Sequence, residues 1–115
     1  MQSLKARLDV LRDTNTITER ASLIAERTVE QFVTDENAAS YTMLITHLAM
    51  AVTRIDRLEP LSPPPESIMK EIYESRDLEE AKRRVAWIEE TMGDTLPQEE
   101  KEFLIMHFVS ALSMN

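Results

Sequence analysis

Leu4, Leu8 and Leu11 recur at helical spacing, and they predict a short amphipathic helix over residues 2–12 that ends at Asp13-Thr14-Asn15. Thr16, with Glu19 three positions on, has the form of a capping box, so the next helix is expected over residues 17–33. Its inward face should carry Ile17, Ala21, Ile24, Thr28 and Phe32. A polar break follows at Thr34-Asp35-Glu36-Asn37. Tyr41, Leu44, Leu48, Ala51, Val52, Ile55 and Leu58 then mark a long third helix reaching to about Leu58.

Pro60 and the run Ser62-Pro63-Pro64-Pro65 stop that helix, because proline lacks a backbone N–H and disfavours a helical residue before it. The run reads as a stiff elbow within one domain rather than a boundary between two. Residues 66–75 form a short helix with Ile68, Met69, Ile72 and Tyr73 inward. Asp77 and Glu80 open another by capping-box logic, with Ala81, Val85, Ile88 and Met92 on its apolar face and Gly93 as its left-handed stop. The last stretch, residues 96–114, is the most apolar: between Phe103 and Leu112 the polar side chains are His107 and Ser110. A helix of this kind belongs inside a fold. Thr95 is the expected N-cap, with Pro97 in the first turn, Gln98 completing a capping box, and Glu99 and Glu100 at the positive end of the helix dipole. The pattern as a whole predicts an all-α protein, a compact bundle of five to six helices forming one domain over residues 1–115 with its core at about 16–112.

Composition agrees and narrows the classes. One glycine and five prolines in 115 residues argue against an all-β fold. No apolar run is long enough to span a membrane and the first residues lack a signal-peptide core, so the expectation is a soluble, cytoplasmic protein without a membrane partner. With no cysteine there is no disulfide, thiol nucleophile or cysteine-ligated metal. A formal charge of −8 repels phosphate backbones, so direct binding of nucleic acid is not expected.

Two histidines stand out because each lies in a helix otherwise rich in apolar residues. His47 shares a helix face with Leu44, Ala51 and Arg54; His107 shares one with Glu100, Phe103, Ser110 and Ala111. The plain reading of a lone histidine on such a helix is a neutral, hydrogen-bonded packing residue. A metal site is poorly supported, since two imidazoles lack further ligands at suitable spacing, and no cofactor is implied. A third reading is chemical: a neutral imidazole is a nucleophile near pH 7 and can accept a phosphoryl group, whose charge then wants a nearby cation. Arg54, seven residues after His47, is placed to supply one.

The segment LITHLAMAVTRI, residues 44–55, resembles the first histidine motif of the PTS regulation domain (PRD) family, through which the sugar phosphotransferase system controls transcription regulators. His47 and Arg54 match that motif. The segment GDTLPQEEKEFLIMHF, residues 93–108, is similar to the second motif at Gly93, Leu96, Pro97, Glu100, Phe103 and His107. The resemblance covers about residues 16–112. It implies a helical module that commonly dimerises, with His47 and His107 phosphorylated by the phosphocarrier HPr or by enzyme II components. Arg54 would be a phosphate partner and Glu100 a supporting residue at the helix start. Two departures are visible. Barely 15 residues precede the module, where the family usually carries an effector domain and a second module, so a separate transcription regulator would receive the signal. Thr46 also precedes His47 where the family often has an acidic residue.

The remaining features read as scaffold. Trp87 packs or anchors an interface, the seven methionines fill core gaps, and Lys82-Arg83-Arg84 is a solvated helix face. An enzyme of the small helical kind would need several Arg or Lys residues around a pocket to hold a dianion, and Arg54 is the one basic residue between Arg27 and Arg57. The expectation is therefore a non-enzymatic regulatory module acting by histidine phosphorylation, with a non-phosphorylated dimerisation or adaptor domain as the alternative.

Overall fold

The computed structural model describes residues 2–114; Met1 and Asn115 lie outside the described residues. Six helices and no strand occur among them: α1 (Gln2–Asp13), α2 (Glu19–Phe32), α3 (Ala38–Asp56), α4 (Glu66–Tyr73), α5 (Leu78–Met92) and α6 (Gln98–Ser113). The all-α expectation holds. The chain forms two compact units, Met1–Pro60 and Leu61–Asn115, that part at the proline-rich segment.

In the first unit α3 is the central helix. α2 packs along it and α1 lies against both. Leu4 and Leu8 of α1, Ile24 and Val29 of α2, and Tyr41, Leu44, Ile45, Leu48 and Val52 of α3 make the core, with fully buried Ala21, Ala25, Ala49 and Ala51 between them. Small side chains at a helix contact let the two axes approach. The predicted polar break becomes a closed turn: Thr34 N–H donates to Asn37 Oδ1 at 2.7 Å, Asn37 N–H donates to Thr34 Oγ1 at 3.3 Å, and Asn37 Nδ2 reaches the Phe32 carbonyl at 3.1 Å.

In the second unit α6 is central, covered by α5 and by α4. Val85 and Ile88 of α5, Met69 of α4, and Leu104, Ile105, Phe108 and Val109 of α6 form its core. Gly93 ends α5 at φ 73°, ψ 23°, its N–H donating to the Glu89 carbonyl at 2.9 Å. This is the left-handed stop read from the sequence.

Several local expectations need correction. Thr18, not Thr16, caps α2: its hydroxyl accepts from the Ala21 N–H at 3.2 Å, while Thr16 sits in the preceding turn hydrogen-bonded to Thr14. α6 starts one residue after Pro97, so Thr95 is no cap, and Gln98 reaches forward to Glu102 at 3.3 Å. Asp77 precedes α5 without a side-chain cap, and the Glu80 carboxylate turns to Arg83 and Arg84. These arginines are thereby ion-paired on the helix surface. Ile68 and Tyr73 are 42% and 46% exposed rather than inward. Leu58 leaves α3 altogether, 91% exposed and at φ 58°, because Pro60 forbids another helical turn.

A leucine held at positive φ pays a steric cost that glycine does not. Leu58→Gly is expected to raise the unfolding free energy by about 0.5–1 kcal/mol, and Gly93→Ala to lower it by about 1 kcal/mol, since no atom lies within 4 Å of the added methyl and only the backbone is strained. Urea unfolding of the two variants beside the parent chain measures both.

Candidate functional site

Each unit carries one of the two histidines, and the first is set by the end of α3. There the Thr18 N–H donates to Thr53 Oγ1 at 3.1 Å, and the Thr18 hydroxyl and Arg20 Nη1 each reach an Asp56 carboxylate oxygen at 2.7 Å. The start of α2 is thus clamped to the last turn of α3, while Arg57 Nη2 holds the Asn15 carbonyl at 2.8 Å. On the helix so fixed, Met43, His47, Met50 and Arg54 follow one another at intervals of four, three and four, down one face. Met43 is 71% exposed, and the other three are half-buried. His47 lies at the edge of the core with its Nε2 buried. Both His47 and Arg54 are engaged by neighbouring groups.

The second histidine is set by latches at both ends of α6. Glu89 of α5 accepts the Leu96 N–H at 2.8 Å and pairs with Lys101 Nζ at 3.5 Å, fixing the entry to α6. At the other end the Ser113 hydroxyl donates to Asp77 Oδ2 at 3.0 Å. His107 lies between these anchors, half-buried. Loss of hydration pushes its imidazole below the usual histidine value, because burial penalises the charged form. The ring is therefore neutral at pH 7, the state in which a nitrogen lone pair can attack an electrophile.

Two turns before His107, on the same side of α6, stands Glu100. The sequence reading placed it in the first turn of the helix, where it is, but gave no sign that it would be only 2% exposed. Among the described residues it is the charged side chain that is fully buried. A carboxylate out of water must be satisfied by protein groups, and Glu100 has such an interaction. A run of two acidic residues at a helix start looks alike whether solvated or not; only the arc of Leu104, Phe108 and Ala111 beside it hints at the difference.

Among the described residues no three His, Asp or Glu side chains gather as a metal ligand set, and no helix is long and apolar enough to cross a membrane. The sequence-predicted residues thus fall into two pairs, His47 with Arg54 on α3 and His107 with Glu100 on α6.

A family model described as the PRD domain matches residues 18–111, running from the cap of α2 nearly to the end of α6. Comparisons with curated proteins and with solved structures find no match.

Because the folded value of His107 lies below its unfolded one of about 6.5, the unfolded chain takes up the proton first and stability falls as pH drops through that range. Above it this histidine costs nothing. Melting temperature is expected to fall from about pH 7.5 to about pH 5.5, and by less in His107→Gln, whose side chain cannot titrate. Thermal scans of both proteins across that interval provide the check; parallel curves would show that His107 is not the group responsible.

Proposed function

The chain belongs to the PRD domain family, whose modules regulate transcription regulators for the sugar phosphotransferase system, and on that footing we propose that His47 and His107 are its phosphoryl acceptors. Modules of this family are regulatory rather than catalytic. In the step proposed, a ring nitrogen of the neutral imidazole attacks the phosphorus of a phosphohistidine on HPr or an enzyme II component. The donor's P–N bond breaks as the new one forms, the donor imidazole leaves with the electron pair, and the proton on the attacking ring's other nitrogen is lost to solvent while the departing imidazole takes one up. The product carries about two negative charges where a neutral ring stood.

The observation that carries the reading is the position of the two rings, half-buried at the edge of an apolar helix rather than sealed within it. A side chain so placed can be reached by a donor after a small rotation, which His47 needs to bring out its buried Nε2. It also lies close enough to packed surface for a new dianion to change what the helix contacts. Arg54 supplies a cation on the His47 face. The output is a change in homodimerisation or in binding of a separate transcription regulator, without contact between this chain and nucleic acid, which the −8 charge disfavours. The setting is the cytoplasm, where the donors act.

Incubation with phosphoenolpyruvate, enzyme I and HPr, followed by intact-mass measurement, is expected to add up to two phosphoryl groups, one on each histidine. His47→Ala and His107→Ala should each remove one, and light scattering of the loaded protein should show an altered association state. No uptake by the parent chain, with a control PRD protein labelled in the same mixture and the sugar-specific enzyme II components also tried, would leave a helical dimerisation or adaptor domain.

A further inference from the structure

Two clefts in the second unit stand apart from either histidine. The larger, about 610 Å³, is lined by Pro63, Pro64, Met69, Lys70 and Tyr73 together with Glu66, Glu74 and Glu102. The smaller, about 420 Å³, has Val85, Ala86 and Ile105 beside Lys82, Lys101 and Glu89. Tyr73 lines both. A tyrosine 46% exposed on a short helix is an expensive use of an aromatic ring unless something covers it.

The chemistry of the larger cleft is specific. Its floor is apolar, with Pro64 and Met69 buried. One wall is the Tyr73 ring, and the rim carries three carboxylates against the single ammonium of Lys70. Glu102 lies close enough to Tyr73 that its charge, after burial, helps hold the phenol above its ordinary value. An apolar floor, an aromatic face and a carboxylate rim together match a guanidinium side chain, whose methylenes lie on apolar surface while its planar head stacks on a ring and donates to carboxylates. We propose that this groove docks a segment of a partner protein that presents an arginine to the larger cleft and an apolar residue to the smaller.

The groove is distinct from the histidine site. At about 100° per residue, Gln98, Lys101 and Ile105 lie across α6 from Glu100, Phe103 and His107. A partner in the groove leaves the His107 side of the helix open.

The test is a titration of the full chain, labelled at methionine methyls and tyrosine rings, with an acetylated and amidated alanine-leucine-arginine-leucine-alanine peptide. Saturable NMR shifts confined to Met69 and Tyr73 are expected, and the isosteric citrulline peptide should bind about tenfold more weakly, as loss of a charge-assisted contact requires. Tyr73→Ala and Glu102→Gln, both at solvent-accessible positions, should each weaken the arginine peptide by about fivefold or more. Shifts that never saturate, that map elsewhere, that are equal for citrulline or glutamate in place of arginine, or that survive both substitutions overturn the proposal. No phosphoryl donor enters this titration, so its failure and a failure of phosphate uptake are separate results.

Discussion

α3 and α6 are too apolar to face water on more than a narrow strip, and each must be covered on two sides. That constraint organises both units. α3 receives α2 and α1, and α6 receives α5 and α4. The apolar arc on each central helix stops at a histidine, which is polar enough to meet solvent and flat enough to pack against the core. Half-burial of both rings follows from this arrangement and needs no separate cause.

Apolar packing alone does not fix the rotation or height of a helix, because greasy surfaces slide with little penalty. Side-chain hydrogen bonds supply the register. Asp56 takes both Thr18 and Arg20 from α2, and Glu89 takes both the Leu96 N–H and Lys101 at the mouth of α6. Each is a carboxylate shared between two donors, which resists sliding better than a single bond. Such bonds contribute about 1 kcal/mol each in net stability, but what they decide is where along the core edge the imidazole comes to rest.

Much of this was legible in the chain because helix period and terminators act locally. Gly93 had to be a left-handed stop, the prolines at 60 and 63–65 had to end α3, and Ala81, Val85 and Ile88 had to face inward. The misassigned caps share one origin: a capping box is a three-residue spacing, which the chain offers more often than the folded protein uses it. Thr16 and Thr18 both precede acidic or small residues, and the choice fell to Thr18 because its N–H and hydroxyl also meet Thr53 and Asp56 of α3, a tertiary bond no local pattern contains. Likewise Glu80 had two cations within one turn and went to them instead of back to the cap. The depth of Glu100 and the groove at Tyr73 were hidden for the same reason, since both depend on how α4 and α5 lie on α6.

The two histidines share a chemistry but not a setting, and this difference bears on how the proposed signal would work. A dianion on the α3 face stands two turns from the Arg54 guanidinium, a separation that side-chain reach can close, so charge added there favours an ordered contact. A dianion on the α6 face would stand two turns from Glu100, a buried residue whose interaction with neighbouring groups the added charge would disturb. The same covalent event would therefore tighten one helix surface and loosen the other. On the proposed reading, the response at each acceptor would depend on the residue seven positions away on the same helix, Arg54 for His47 and Glu100 for His107.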